Sequence, residues 1–137
     1  GATHAFNATD PDIVSKVKAH TDGGVHIAIE SAGVPAALEL AFNVTRIGGK
    51  TIAAGLPSPT RNVSISHFVL GAQERCLKGS YMGSCIPSRD IPKFLSMYQQ
   101  GTLPIDQLAG DPVKLEDLNE AFDLMQSGGT LRSVLLP

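Results

Sequence analysis

Two short apolar runs flanking one helical pattern dominate the first half of the chain. Val25-His26-Ile27-Ala28-Ile29 is apolar at all positions but one, and Thr51-Ile52-Ala53-Ala54 is largely apolar again. Between them, Pro35 to Arg46 carries Ala37, Leu38, Ala41 and Phe42 on one helical face. Unbroken apolarity over four or five residues fits strands covered on both faces, and parallel strands need a helix-length crossover. The pattern therefore predicts a β-α-β unit. Both strands run into a small residue and a glycine, Ala32-Gly33 and Ala54-Gly55. Open parallel sheets take ligands outside the carboxyl ends of their strands, which makes these two ends the first candidates for a binding site.

The flanking segments extend the same alternation. Thr3 to Asn7 reads as a short strand. Asp10-Pro11-Asp12 starts a helix with an oxygen-bearing cap and proline at the first helical position, followed by Ile13, Val14 and Val17 as its apolar stripe. Gly23-Gly24 and Gly48-Gly49 are read as the ends of the first and second helices. Val63-Ser64-Ile65-Ser66 alternates as a half-exposed strand or extended edge would, residues 67–73 fit a short helix, and Cys76 to Tyr81 fits a further strand. After Gly83 the character changes. Ile91, Phe94, Leu95 and Tyr98 have the spacing of an amphipathic helix, in which Pro92 fits only within the first turn, capped by Ser88 or Asp90. Leu115, Leu118, Ala121, Phe122 and Met125 give a second helix, closed by Gly128-Gly129, and Leu131 to Leu136 reads as a terminal strand.

Composition narrows the function classes. A length of 137 residues with 42% hydrophobic content suits one soluble domain of ordinary size. The net charge of −2, without a block of Lys or Arg, argues against a nucleic-acid or acidic-membrane surface. No apolar run approaches the roughly 18 residues that span a bilayer. The start, Gly1-Ala2-Thr3-His4, has neither signal-peptide character nor an initiator Met, so the expectation is a cytoplasmic protein that has been cut, processed or excerpted. Cys76 and Cys85 lack CxxC spacing and a neighbouring pair of histidines, and are expected as two buried thiols rather than metal ligands. His4 and His26 are expected on strands and His20 at a helix end. No histidine is assigned to a metal, and no residue to a catalytic triad or carboxylate pair.

Several phrases then occur together and in order. Gly1-Ala2-Thr3-His4 precedes a short strand, Ile29-Glu30-Ser31-Ala32-Gly33 ends another, and Gly48-Gly49-Lys50 leads to Gly55-Leu56-Pro57. Further on come Leu77-Lys78-Gly79-Ser80-Tyr81-Met82-Gly83-Ser84, the stretch Leu115 to Gly128, and Leu131-Arg132-Ser133-Val134. In combination they resemble the C-terminal portion of the medium-chain dehydrogenases/reductases, of which the zinc-type alcohol dehydrogenases are the best-known members. The resemblance implies an α/β fold: the second half of a Rossmann-type doubly wound parallel sheet, plus a C-terminal α/β segment belonging to the catalytic domain. Residues 1–82 would be the partial dinucleotide-binding domain, lacking the G-x-G-x-x-G turn, and residues 83–137 the segment returning to the catalytic domain. It further implies a longer parent enzyme that uses NAD or NADP on a small alcohol, aldehyde or ketone, assembled as a homo-oligomer. Zinc is expected in that parent but ligated by no residue of this segment, and the 137-residue chain alone is expected to be inactive.

The same resemblance distributes ten residues around the cofactor. Ser31, Ala32 and Gly33 would pass beside the ribose and nicotinamide, where small residues let backbone approach a flat ring. Ala54, Gly55 and Leu56 would offer backbone groups to the carboxamide. Ser80, Tyr81 and Met82 would meet the nicotinamide at the end of the last strand, although Met82 stands where the family often has an aromatic. Arg132 would reach the pyrophosphate, a task suited to a guanidinium. The plainer alternatives are tight turns without a ligand for the first two groups, a sheet residue for Ser80 and an exposed strand residue for Arg132. Two other functions stay open: a non-catalytic module that self-associates through Val63 to Phe68, and part of a zinc-free quinone-reductase-like relative.

Overall fold

The computed structural model describes residues 1–130 and 132–136. They form two compact units, Gly1–Cys85 and a second from Ile86 onward. The first unit contains α1 (Ile13–His20), β1 (Val25–Glu30), α2 (Pro35–Val44), β2 (Thr45–Ala53), α3 (His67–Ala72) and β3 (Cys76–Gly79). Its three strands are parallel, in the order β1-β2-β3. The register sets Glu30 opposite Ala53 and Ala53 opposite Gly79, so the carboxyl ends of all three strands finish in one transverse row.

The expected β-α-β unit is present, with its turn displaced. α2 ends at Val44 rather than at Gly48-Gly49. Thr45 ends it: its β-branched side chain suits a strand, and its hydroxyl donates to the Ala41 carbonyl at 2.7 Å, satisfying a helix-end acceptor. That hydroxyl has one proton, so at the 2.9 Å contact between the two threonines Thr51 is the donor and Thr45 the acceptor. The glycines instead form an excursion within β2. The pairing jumps from Val25 opposite Thr45 to Ile27 opposite Lys50, and the chain turns at Gly48 with φ of 68°.

Phe42 anchors the core. Only 2% of its surface is exposed, and Ile13, Ala28, Ala41, Thr45 and Thr51 are buried with it. Arg75 lies over the Phe42 ring at 5.1 Å, donates from Nη1 to the Phe42 carbonyl at 2.6 Å and from Nη2 to Gln73 Oε1 at 2.6 Å. The guanidinium thus caps the carboxyl end of α2 while covering the central ring. Its burial lowers its pKa, because the cation loses hydration.

Several expectations give way to the structure. Thr3 to Asn7 forms no strand; the His4 and Phe6 rings instead meet His20, at the end of α1, edge-on at 3.9 and 5.8 Å. α1 itself begins at Ile13, two residues past Pro11, with the Asp10 carboxylate accepting from the Asp12 N–H and pairing with Lys16. β1 is not covered on both faces. Ile27 and Ile29 are 59% and 68% exposed while Ala28 and Glu30 are buried: successive side chains alternate between the two faces of the sheet, and here only the face of Ala28 and Glu30 is covered. Val63 to Ser66 is extended without a ladder partner; the Ser64 N–H donates to Glu39 and the Ser66 hydroxyl caps α3. The thiols are not both buried: Cys76 lies exposed on the other edge, β3, and Cys85 is half-buried, both unoxidised.

The second unit holds α4 (Pro87–Gln99), β4 (Pro112–Lys114), α5 (Leu118–Gln126) and β5 (Val134–Leu136), with β4 and β5 paired in parallel. Leu131, where the terminal strand is expected to begin, lies outside the described residues. Pro92 is in the second turn of α4, not the first. The helix tolerates it because the bond it deletes would reach the exposed Ser88 carbonyl, which water can serve. Pro87 takes the first helical position, and Asp90 performs the capping. Its carboxylate accepts from the Ile86 N–H at 2.8 Å and from Arg89 at 2.7 Å through both Nε and Nη2.

The Arg89 hydrogen bonds, aided by the Ile86 amide and Lys93, hold the Asp90 carboxyl well below the usual carboxylate range. A folded-state pKa below the unfolded one means a stabilising contribution that is complete above about pH 4 and is lost as pH falls through the depressed value. Protection of the first-turn amides of α4, taken as exchange relative to the intrinsic rate at each pH, should therefore fall on acidification below about pH 4. In Asp90→Asn that protection should be lower at neutral pH and change less over the same range.

Candidate cofactor site

The row Glu30–Ala53–Gly79 forms the floor from which the three strands release their loops. From β1 the chain passes through Ser31, Ala32 and Gly33 into α2; from β2 it passes through Ala54, Gly55 and Leu56; from β3 it passes through Ser80 into a 3-10 turn spanning Tyr81–Ser84. Parallel pairing leaves backbone donors of one strand within reach of the next. The Glu30 carbonyl accepts from both Ala54 N–H (2.8 Å) and Gly55 N–H (3.0 Å), and the Ala53 carbonyl accepts from Ser80 N–H (2.8 Å).

The first two loops interlock. Gly33 sits at φ of 70°, and its N–H donates to Glu30 Oε1 at 2.6 Å. A Cβ placed on Gly55 would fall 2.2 Å from the Gly33 nitrogen and 2.6 Å from its Cα. Glycine at position 55 is thus imposed by close approach of two backbones.

Gly79 is different. A Cβ there would meet no atom within 4 Å, so packing inside the protein does not call for glycine. Gly79 lines a hollow of about 410 Å³ together with Ala53, Ala54, Gly55, Leu56, Ser80 and Tyr81. The lining has no charged side chain, and the side chains of Leu56 and Tyr81 are exposed at it. A strand glycine with open space beside it is what close approach of an external group to backbone requires.

Beyond Ser80 the backbone is strained. Met82 (φ 48°), Gly83 (φ 67°) and Ser84 (φ 57°) are three successive residues in the left-handed region, which disfavours the two that carry a Cβ. The Ser80 and Ser84 hydroxyls meet at 3.1 Å across this turn. Nine of the ten residues assigned by resemblance therefore lie on the loops at the carboxyl ends of β1, β2 and β3. Arg132 belongs to the second unit, where it is exposed and its carbonyl accepts from Gly110 N–H at 2.7 Å.

Two residues of this arrangement stand outside those ten. Glu30 is 5% exposed, and its place just before the Ser31-Ala32-Gly33 loop already marks it in the sequence as a candidate acceptor behind that loop. Gly79 was visible as a glycine before Ser80, but only the structure shows it inside β3 without the positive φ of a turn glycine, and lining a hollow. Among the described residues no group of three or more His, Cys, Asp or Glu could hold a metal ion, and no helix is long and apolar enough to cross a membrane.

This geometry can now be set beside known proteins. Residues 1–100 match the family model described as zinc-binding dehydrogenase. The chain belongs to this family. Among curated relatives, alcohol dehydrogenase-like 5 of Arabidopsis thaliana is 35% identical over 98% of the chain and 36% of its own length. The NDMA-dependent alcohol dehydrogenase of Amycolatopsis methanolica is 34% identical over 99% of the chain and 38% of its own length. The chain thus spans a little over a third of the curated relatives it matches. Among solved structures, benzyl alcohol dehydrogenase from Acinetobacter calcoaceticus superposes with a TM-score of 0.89 at 32% identity, over 98% of this chain and 37% of that one. The dehydrogenase fold is therefore shared across nearly the whole of the present chain. The described residues do not fit a zinc site of their own, despite the family's name.

Proposed function

We propose that this chain forms the nicotinamide-facing half of the cofactor site of an alcohol dehydrogenase that uses NAD or NADP. The observation that carries the reading is Gly79: a strand glycine, not at positive φ, with open space beside it, in the lining of an uncharged hollow. A flat, weakly polar ring whose carboxamide carries one donor group and one acceptor suits such a wall. When bound, the nicotinamide supplies hydride transfer to and from the alcohol or carbonyl substrate. The residues of this chain orient it: Ala54, Gly55 and Leu56 through backbone, Ser80, Tyr81 and Met82 from the adjoining strand, and Ser31, Ala32 and Gly33 on the ribose side. For Arg132, assignment to the pyrophosphate rests on the resemblance alone.

The alcohol dehydrogenases to which the chain is similar support an alcohol as substrate, with an aldehyde or ketone as product. In this reading residues 1–82 are part of a dinucleotide-binding domain, residues 83–137 return to a catalytic domain, and the longer protein is a homo-oligomer. Zinc would be ligated elsewhere in that protein.

Gly79→Ala tests the reading. Adding a methyl into open space leaves the fold intact and removes unfolded-state freedom, so stability should hold or rise by about 0.4–1 kcal/mol. Affinity for nicotinamide mononucleotide, read from amide shift titration of the 137-residue chain, should fall. Unchanged affinity in the folded variant would refute the placement of the ring against Gly79.

A further inference from the structure

Glu30 is the only acid buried in the first unit, and it carries no partner cation among its hydrogen bonds. Its position is instead tied to backbone. One carboxylate oxygen accepts from the Gly33 N–H at 2.6 Å. The other lies 2.8 Å from where a Cβ on Gly55 would be. Its own carbonyl takes the N–H groups of Ala54 and Gly55 at 2.8 and 3.0 Å. A single residue therefore touches both loops of the proposed site, from beneath, with its main chain on one and its side chain on the other.

Burying a carboxylate is costly unless donors compensate it, and an apolar residue at the end of an apolar strand would avoid that cost. A glycine at positive φ has many conformations open to it, and a charge-assisted bond to its amide selects one. We infer that Glu30 is the positioning residue of the nicotinamide site: its carboxylate fixes the Gly33 turn against Gly55 and so sets the wall on which the ring lies. This rests on the reading of the strand ends as a nicotinamide site. Glu30 does not touch the ligand in this role; it acts through Gly33 and Gly55.

The variants Glu30→Ala, Glu30→Gln and Glu30→Asp in the 137-residue chain separate this from a general contribution to folding. Glutamine keeps an acceptor oxygen at the same reach, alanine removes it, and aspartate withdraws it by one methylene. The dissociation constant for nicotinamide mononucleotide, from amide shift titration, should weaken roughly tenfold in Glu30→Ala, the order of one charge-assisted hydrogen bond. Glu30→Gln, which keeps the acceptor without its charge, should recover part of that loss. The Gly33 amide resonance should move away from its wild-type position in Glu30→Ala and Glu30→Asp and stay near it in Glu30→Gln. Should Glu30→Ala fail to fold, Glu30→Asp provides the same comparison. Wild-type affinity in a folded Glu30→Ala or Glu30→Asp variant overturns the inference while leaving the site in place. A wild-type chain whose strand-end amides ignore the mononucleotide overturns the site itself.

Discussion

Phe42→Ala is expected to destabilise the first unit by about 3–5 kcal/mol, the range for deleting a buried phenylalanine side chain. Phe42 is the largest fully buried side chain of the chain's described residues, and the other apolar core positions of its unit are small or few. The cavity would therefore have little around it that could collapse inward. The loss extends to Arg75, whose guanidinium lies over the ring at 5.1 Å and is itself buried. Removing the ring leaves that cation beside a void, with its bonds to the Phe42 carbonyl and Gln73 as the remaining compensation. Domains of this size have about 5–15 kcal/mol of stability, so the variant should have a much lower urea midpoint or be unfolded without denaturant. A loss under about 1 kcal/mol would mean that Phe42 is not the centre of the core.

Gly55→Val should be comparably severe, by an opposite mechanism. The first atom of any side chain at position 55 collides with the backbone of Gly33, at 2.2 Å from its nitrogen, and backbone held by a hydrogen bond cannot rotate aside. Overpacking of this kind costs about 1–3 kcal/mol and sometimes more. Function should suffer beyond that. Forcing the two loops apart moves Gly33 off Glu30 and displaces Ala54 and Leu56, so any response to nicotinamide mononucleotide should be lost even where the fold survives. Circular dichroism melts and amide spectra with and without the mononucleotide read the two effects separately. The contrast with Gly79→Ala is informative, because that site is open. One glycine is required by the protein, the other by what the protein is proposed to hold.

Much of this arrangement was legible in the sequence, and the exceptions have physical causes. The β-α-β unit could be read because apolar runs and helical spacing are local signals, and the glycines at the strand ends marked the ligand side of a parallel sheet. The position of the α2–β2 junction could not. It depends on Thr45 bonding to Ala41 and Thr51, a pairing created only once helix and strand are packed, and glycines at 48 and 49 imitate a helix end. Coverage of β1 was misjudged because an apolar run does not reveal whether an element packs on each face of its sheet. Thr3 to Asn7 had strand-like composition but no ladder partner, and its rings took the nearest surface at His20. Pro92 looked confined to the first turn because only there does the missing N–H delete no bond within the helix. Arg75 drew no attention, since an arginine's role as cap and cover for Phe42 exists only in three dimensions.

Within the site the same division holds. Ser31-Ala32-Gly33 and Ala54-Gly55-Leu56 could be picked out as candidates because small residues at a strand end would let backbone approach a ligand. That the two loops press on each other, with Glu30 bonded to both, required register: Glu30 opposite Ala53 and Ala53 opposite Gly79.

The most direct measurement is the map of backbone amide shifts when nicotinamide mononucleotide, and separately AMP, is added at millimolar concentration to the 137-residue chain. The account predicts that the mononucleotide moves Gly33, Ala54, Gly55, Leu56, Gly79, Ser80 and Tyr81, and that AMP leaves them in place. Equal response to both compounds, or a mononucleotide response confined to residues away from these three strand ends, would contradict it.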